Sequence, residues 1–195
     1  MSEPSSSVAA ILLTGGASRR MGRDKSQLIV DGSTLAVRTA ALLRLVVETA
    51  VEVGPGVSGL PSTSENPQGE GPLVAIAEGC RALRLSGHTG GALVIACDLP
   101  LLSEALLRFL VEWPSSASVV PVVQGQAQPL CAKWGRDDLD AASKLIGQGL
   151  RSLQHLTTQQ GVVLLDESMW QKVVSEKVFS DVDSPADLQR LGLTT

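Results

Sequence analysis

Two rhythms of apolar and polar positions alternate along the chain. Short unbroken apolar runs occupy residues 8–13, 92–97 and 162–165, and residues 51–53 and 119–123 read as further short strands. Runs of this length, bounded by turn residues, predict strands buried on both faces. Between them lie segments with helical spacing. Ser33 is placed to cap a helix over 34–49, with Leu35, Leu42, Leu45 and Val46 on one side. Pro72 suits the first turn of a helix over 72–85. Ser103 precedes an amphipathic helix over 104–113, and Ser184 a closing helix over 185–191. Residues 139–156 read as helix interrupted near Gly147 and Gly149. Residues 129–134 read as a further strand, which Pro129 would confine to an edge or to a strand start. The Gly-, Pro- and Ser-rich stretch 55–71 reads as a long loop, and a loop of that length is usually functional or disordered.

Strands alternating with helices predict an α/β fold: a single three-layer Rossmann-like domain, with a mainly parallel sheet and helices on both faces. The 195 residues suit one domain, expected over residues 8–195. Residues 1–7 are polar and read as a loose tail. With 44% apolar but 3% aromatic residues, the core must be filled mainly by aliphatic side chains. The net charge of −4 argues against an electrostatic nucleic-acid binder. No apolar run is long enough to span a bilayer, and no leader-like pattern opens the chain, so a cytoplasmic location is expected. Cys80, Cys97 and Cys131 lie far apart in apolar surroundings and read as buried free thiols. His88 and His155 lack ligand-spaced partners and read as surface residues; Trp113, Trp134 and Trp170 read as packing residues.

The first strand runs into Gly15-Gly16-Ala17-Ser18-Arg19-Arg20-Met21-Gly22-Arg23-Asp24-Lys25. Glycines let backbone approach a ligand closely, and loop N–H groups can cradle phosphate oxygens. Arg19, Arg20 and Lys25 would neutralise a triphosphate. The spacing fits neither the P-loop nor the GxGxxG dinucleotide pattern. A solvated surface turn is the competing reading.

Asp98 leaves the buried run 92–97 where ligands of open α/β sheets bind, and it could hold a hard cation such as Mg²⁺ together with substrate phosphates. It could equally begin the turn before Pro100. Asp181 and Asp183 share a face if extended, so one of them could join Asp98 at a metal; both also suit an ordinary helix start. Asn66, in the long loop before Pro72, has the donors and acceptor to meet a base edge or ribose hydroxyl, or merely to make a turn.

The segment from Leu13 to Lys25 resembles the signature LxGGxSxRMGxDK of the molybdenum cofactor guanylyltransferases. Gly71-Pro72-Leu73 is similar to that family's GPL element, and Cys97-Asp98-Leu99-Pro100 to its CDxP segment. Gln128-Pro129-Leu130 and the stretch from Val182 to Leu188 resemble later family segments, so the likeness covers most of the chain in order. The resemblance implies a nucleotide-diphospho-sugar-transferase-like fold. It implies that Leu13, Thr14, Gly15 and Gly16 border the nucleotide, that Asn66 completes its pocket, and that Lys25 meets the triphosphate. Arg19, Lys25 and Asp98 would act in catalysis, with Mg²⁺ on Asp98 and Asp183. Arg151 and Asp181 would face the pterin phosphate. Some relatives carry asparagine at the positions of Asp181 and Asp183, and after the second strand, where this chain has Gly54.

The implied reaction moves GMP from GTP to the terminal phosphate of molybdopterin or Mo-molybdopterin. Transient contact with molybdoenzymes or their chaperones is also implied. A cytidylyltransferase, a sugar-phosphate nucleotidylyltransferase and a non-catalytic GTP-sensing module are the rival readings.

Overall fold

The computed structural model describes residues 8–15, 25–66 and 69–193. The strands among them are β1 (Ala9–Leu13), β2 (Ile29–Val30), β3 (Ser33–Thr34), β4 (Ala50–Val53), β5 (Ser62–Thr63), β6 (Ala92–Ala96), β7 (Val119–Val123), β8 (Gln126–Ala127), β9 (Cys131–Trp134) and β10 (Val163–Leu165). The helices are α1 (Leu35–Arg44), α2 (Pro72–Leu85), α3 (Glu104–Val111), α4 (Arg136–Gly147), α5 (Gln154–Thr157), α6 (Glu167–Trp170) and α7 (Pro185–Arg190).

The main sheet has the order β10-β7-β9-β6-β1-β4-β5, with β8 paired to β7. β1 lies between β4 and β6, parallel to both. β5 extends the parallel set, and β9 runs antiparallel between β6 and β7. Alternate residues of β1 enter different cores. Ala9, Ile11 and Leu13 pack with residues of α2, α4 and α5; Ala10 and Leu12 pack with residues of α1, α3 and α6. That is the three-layer arrangement the strand–helix alternation predicts. Gly79 lets α2 lie close on the sheet, since a Cβ there would come within 2.5 Å of Ile11 Cγ2. Among the described residues, no helix is long and apolar enough to cross a membrane.

Several boundaries differ from expectation. Thr34, not Ser33, caps α1, its hydroxyl accepting from Val37 N at 3.3 Å. The helix ends at Arg44 rather than 49. There Leu45 N turns to Leu42 O and Val46 N to Leu43 O, tightening the last turn. Of the two places Pro129 allows, the strand-start one fits: Pro129 lies just before β9, so no ladder donor is lost and the strand can sit centrally in the sheet. The long loop contains β5, short but paired with β4. α6 and the 3₁₀ turn Glu176–Phe179 were not expected; Trp170 and Phe179 anchor them by edge-to-face contact at 5.0 Å. His88 is buried rather than on the surface, with Nε2 2.9 Å from Gly91 O. The three cysteines are buried, as expected, and none is in a disulfide among the described residues.

Candidate active site

The parallel strands β1, β4, β5 and β6 deliver their carboxyl ends to one side of the sheet. Asp98 leaves β6 there. Pairing with β1 continues past the strand, Cys97 N donating to Leu13 O at 3.1 Å. Asp98 O accepts from Val182 N at 2.9 Å, which fastens the late segment carrying Asp181 and Asp183 beside the end of β6. A small core of Leu28, Val30, Leu35, Val182 and Leu188 then ties the chain after Lys25 to that segment. Apolar packing thus brings Lys25 to two aspartates remote in sequence.

Lys25 Nζ lies 3.6 Å from Asp98 Oδ2 and donates a hydrogen bond to Asp183 Oδ1. Burial pulls the Lys25 ammonium down. The hydrogen bond to Asp183 and the charges of Asp98, Asp183 and Asp181 outweigh it and hold the pKa above the ordinary lysine value. Asp98 is 26% exposed. Its pKa is raised by burial first and by the Asp181 charge, against the opposing pull of Lys25. Asp183 therefore does more than begin α7. Helix capping falls to Ser184, whose hydroxyl accepts from Asp187 N at 3.3 Å, while Asp187 Oδ2 accepts from Asp183 N at 2.9 Å. Beside the cluster lies an open hollow of about 340 Å³ lined by Ser180, Asp181, Asp183, Asp187, Arg190 and Leu191.

Among the described residues, no three His, Cys, Asp or Glu side chains group to cage a metal. The donor set fits Mg²⁺ nonetheless, because that ion is usually held by one or two carboxylates and completed by substrate phosphates and water. Asp98 and Asp183 are hard oxygen donors that already share the Lys25 ammonium.

The other expected site residues divide. Leu13 has its side chain in the core, so only its backbone can meet a ligand. Thr14 is likewise turned inward, its hydroxyl donating to Glu52 Oε1 at 2.5 Å. Thr14 N and Gly15 N both donate to Val53 O, at 3.1 and 3.2 Å. Asn66 is exposed, in the loop that follows β5. Arg151 stands near the start of α2, with Nε 3.5 Å from Glu70 Oε2, and it donates to Ile146 O and Leu150 O. It makes no ion pair with the Lys25 cluster. Gly16 and Arg19 lie outside the described residues.

Two further acids carry no motif in the sequence. Glu65, next to Asn66, has a buried Oε2 with no hydrogen-bond partner among the described residues, and burial raises its pKa. Glu52 is fully buried in β4. The signal for it was a charged residue between Val51 and Val53 in a strand too apolar to tolerate one without purpose.

Residues 10–162 match the MobA-like NTP transferase domain. The chain belongs to that family. It is 31% identical to a protein of Chloroflexus aggregans named probable molybdenum cofactor guanylyltransferase, over 93% of this chain and 92% of the relative. It is 33% identical to the protein of that name from Mycobacterium avium, over 94% of each. The molybdopterin-guanine dinucleotide biosynthesis protein A of Archaeoglobus fulgidus superposes with a TM-score of 0.76 at 22% identity, covering 94% of this chain and 96% of that one. The 2-C-methyl-D-erythritol 4-phosphate cytidylyltransferase of Thermus thermophilus shares the fold at a TM-score of 0.65 and 18% identity, covering 94% and 96%. This MobA-like chain thus has the mixed, mostly parallel sheet of the nucleotidyltransferases and belongs to an enzyme family that transfers nucleotides.

Proposed function

We propose that this protein transfers GMP from GTP to the terminal phosphate of molybdopterin or Mo-molybdopterin, giving the guanine dinucleotide cofactor and pyrophosphate. The observation that carries the reading is the meeting of Lys25, Asp98 and Asp183 at the carboxyl edge of the sheet. The name of the relatives, molybdenum cofactor guanylyltransferase, supports the choice of guanine nucleotide and of that cofactor as acceptor. Three buried cysteines outside any disulfide suit a reducing compartment, and we assign the reaction to the cytoplasm.

An oxygen of the acceptor phosphate attacks the α-phosphorus of GTP. The bond from that phosphorus to the α,β-bridging oxygen breaks, and its electron pair leaves with pyrophosphate. The acceptor oxygen is already anionic at neutral pH, so no side chain need remove a proton. What remains is to align two anions and stabilise the charge that moves onto the leaving group. Asp98 and Asp183 would hold Mg²⁺, which when bound supplies neutralising positive charge at the phosphates. Lys25 exchanges its aspartate partners for the triphosphate and, with Arg19 of the glycine-rich loop, neutralises the departing pyrophosphate. The backbone of Leu13, Thr14, Gly15 and Gly16 borders the nucleoside, and Asn66 completes that pocket. Arg151 and Asp181 face the pterin side.

The test is transfer of label from α-labelled GTP to molybdopterin, run beside α-labelled CTP. The expected result is a labelled guanine dinucleotide and one pyrophosphate per transfer. Label taken from CTP alone makes the protein a cytidylyltransferase. GTP binding with no pyrophosphate release, acceptor present, makes it a sensing module.

A further inference from the structure

Glu52 is a carboxylate inside the sheet, 0% exposed, and no Lys or Arg among the described residues pairs with it. Burying such a charge is costly unless dense hydrogen bonding replaces water. Here Oε1 accepts from Thr14 Oγ1 at 2.5 Å, Gly56 N at 2.7 Å and Val57 N at 3.0 Å, and Oε2 accepts from Ser58 N at 2.8 Å. Every partner is a donor, and both oxygens are used. Glutamine could not replace it, since its amide NH₂ would have to face an N–H at one end.

These bonds join two parts of the proposed nucleotide cleft. Thr14 is the root of the glycine-rich loop, and Gly56 to Ser58 form the turn after β4. Between them sits Gly54, where a Cβ would fall 2.1 Å from Thr14 Oγ1 and 2.8 Å from Gly15 N. The Thr14 hydroxyl therefore occupies the space a side chain at 54 would need. A Cβ at Gly15 would lie 3.6 Å from Gly54 Cα, so the two glycines pass face to face. The result is a stretch of bare backbone at the ends of β1 and β4, held flat from beneath by one carboxylate.

We propose, building on the nucleotide-cleft reading above, that Glu52 is a positioning residue for the nucleoside half of the substrate. It locks Thr14 inward and fixes the turn 54–58, so that bare backbone at Gly15 and Gly54 receives base and ribose. The triphosphate half is assigned to Lys25 and does not depend on Glu52.

The experiment measures binding of GTP and of inorganic tripolyphosphate, by calorimetry, to the unmodified full chain and to Glu52→Gln and Thr14→Val. Circular dichroism verifies folding. Thr14→Val keeps the shape and removes one bond, so it carries the test if Glu52→Gln does not fold. Expected is a loss of about tenfold in GTP affinity, the size of one lost charge-assisted hydrogen bond, with tripolyphosphate affinity unchanged. In turnover, KM for GTP rises while kcat holds. Equal GTP affinity in folded variants overturns the proposal. Parallel weakening of GTP and tripolyphosphate also overturns it, because Glu52 would then support the site only through general stability. Failure of the unmodified chain to bind GTP at all removes the parent reading, and this inference with it.

Discussion

Lys25 donates a hydrogen bond to Asp183, 158 positions later in the chain, while its ammonium also lies 3.6 Å from Asp98. One cation therefore occupies the junction of two carboxylates where substrate phosphates and their counter-ion are proposed to bind. Replacing Lys25 with Ala should lower kcat/KM for GTP by about 10²-fold, the scale seen when one transition-state donor is removed. The check is steady-state pyrophosphate release, and unchanged kinetics would take Lys25 out of the mechanism.

Asp98→Asn and Asp183→Asn should separate by their response to Mg²⁺. Asp98 leaves a central strand and is mostly buried, so its loss should cut activity about 10²-fold or more at any Mg²⁺ concentration. Asp183 is 75% exposed, and its amide variant should shift the half-saturating Mg²⁺ upward while approaching full activity at high Mg²⁺. A Mg²⁺ titration of both variants decides this; identical titration curves for wild type and Asp183→Asn would exclude Asp183 as a ligand.

Arg151 tests the acceptor side. It pairs with Glu70 and bonds Ile146 O and Leu150 O, apart from the Lys25 cluster. If it meets the pterin phosphate, Arg151→Ala raises KM for molybdopterin and leaves KM for GTP unchanged. A rise in the GTP constant alone would move Arg151 to the nucleotide side.

Close packing between α2 and the sheet predicts a stability effect at Gly79. A methyl there would meet Ile11 Cγ2 at 2.5 Å and Val53 Cγ2 at 3.0 Å. Gly79→Ala should destabilise by about 1–3 kcal/mol through overpacking, despite the better helix propensity of alanine. Urea unfolding measures it, and a stabilised variant would show that the interface gives way easily.

Glu52 also makes a prediction about pH. Burial pushes its carboxyl up, but the hydrogen bonds from Ser58, Thr14 and Val57 prevail and hold it below the ordinary value of 4.5. A depressed folded pKa means that its stabilisation is complete above the unfolded value and is lost as pH falls through the folded one. Urea midpoints should therefore fall below pH 4.5 more steeply for wild type than for Glu52→Gln. Parallel pH profiles would be incompatible with this assignment.

Much of the architecture was legible because burial leaves local marks. The apolar runs of β1, β6 and β7, Ser103 before α3 and Ser184 before α7 each declare an element within a few residues. Lys25 and Asp98 were legible as chemistry because glycine-rich turns and acids at strand ends are local signals too. Helix α1 ended early, and β9 took a central place rather than an edge, because boundaries and sheet order depend on neighbours that a linear pattern does not display. The role of Glu52 is not legible in the sequence, because its partners come from the end of β1 and from the turn after its own strand.

The sequence alone determined the strand–helix alternation, the cationic loop and the inventory of acids, since periodicity and residue type act over a few neighbouring positions. Only the tertiary structure decided that Asp183 joins Lys25 rather than capping its own helix, and that Thr14 turns into the core. Those outcomes follow from packing of Val182 against Leu28 and Leu35, and from a buried carboxylate that must find donors wherever the fold supplies them.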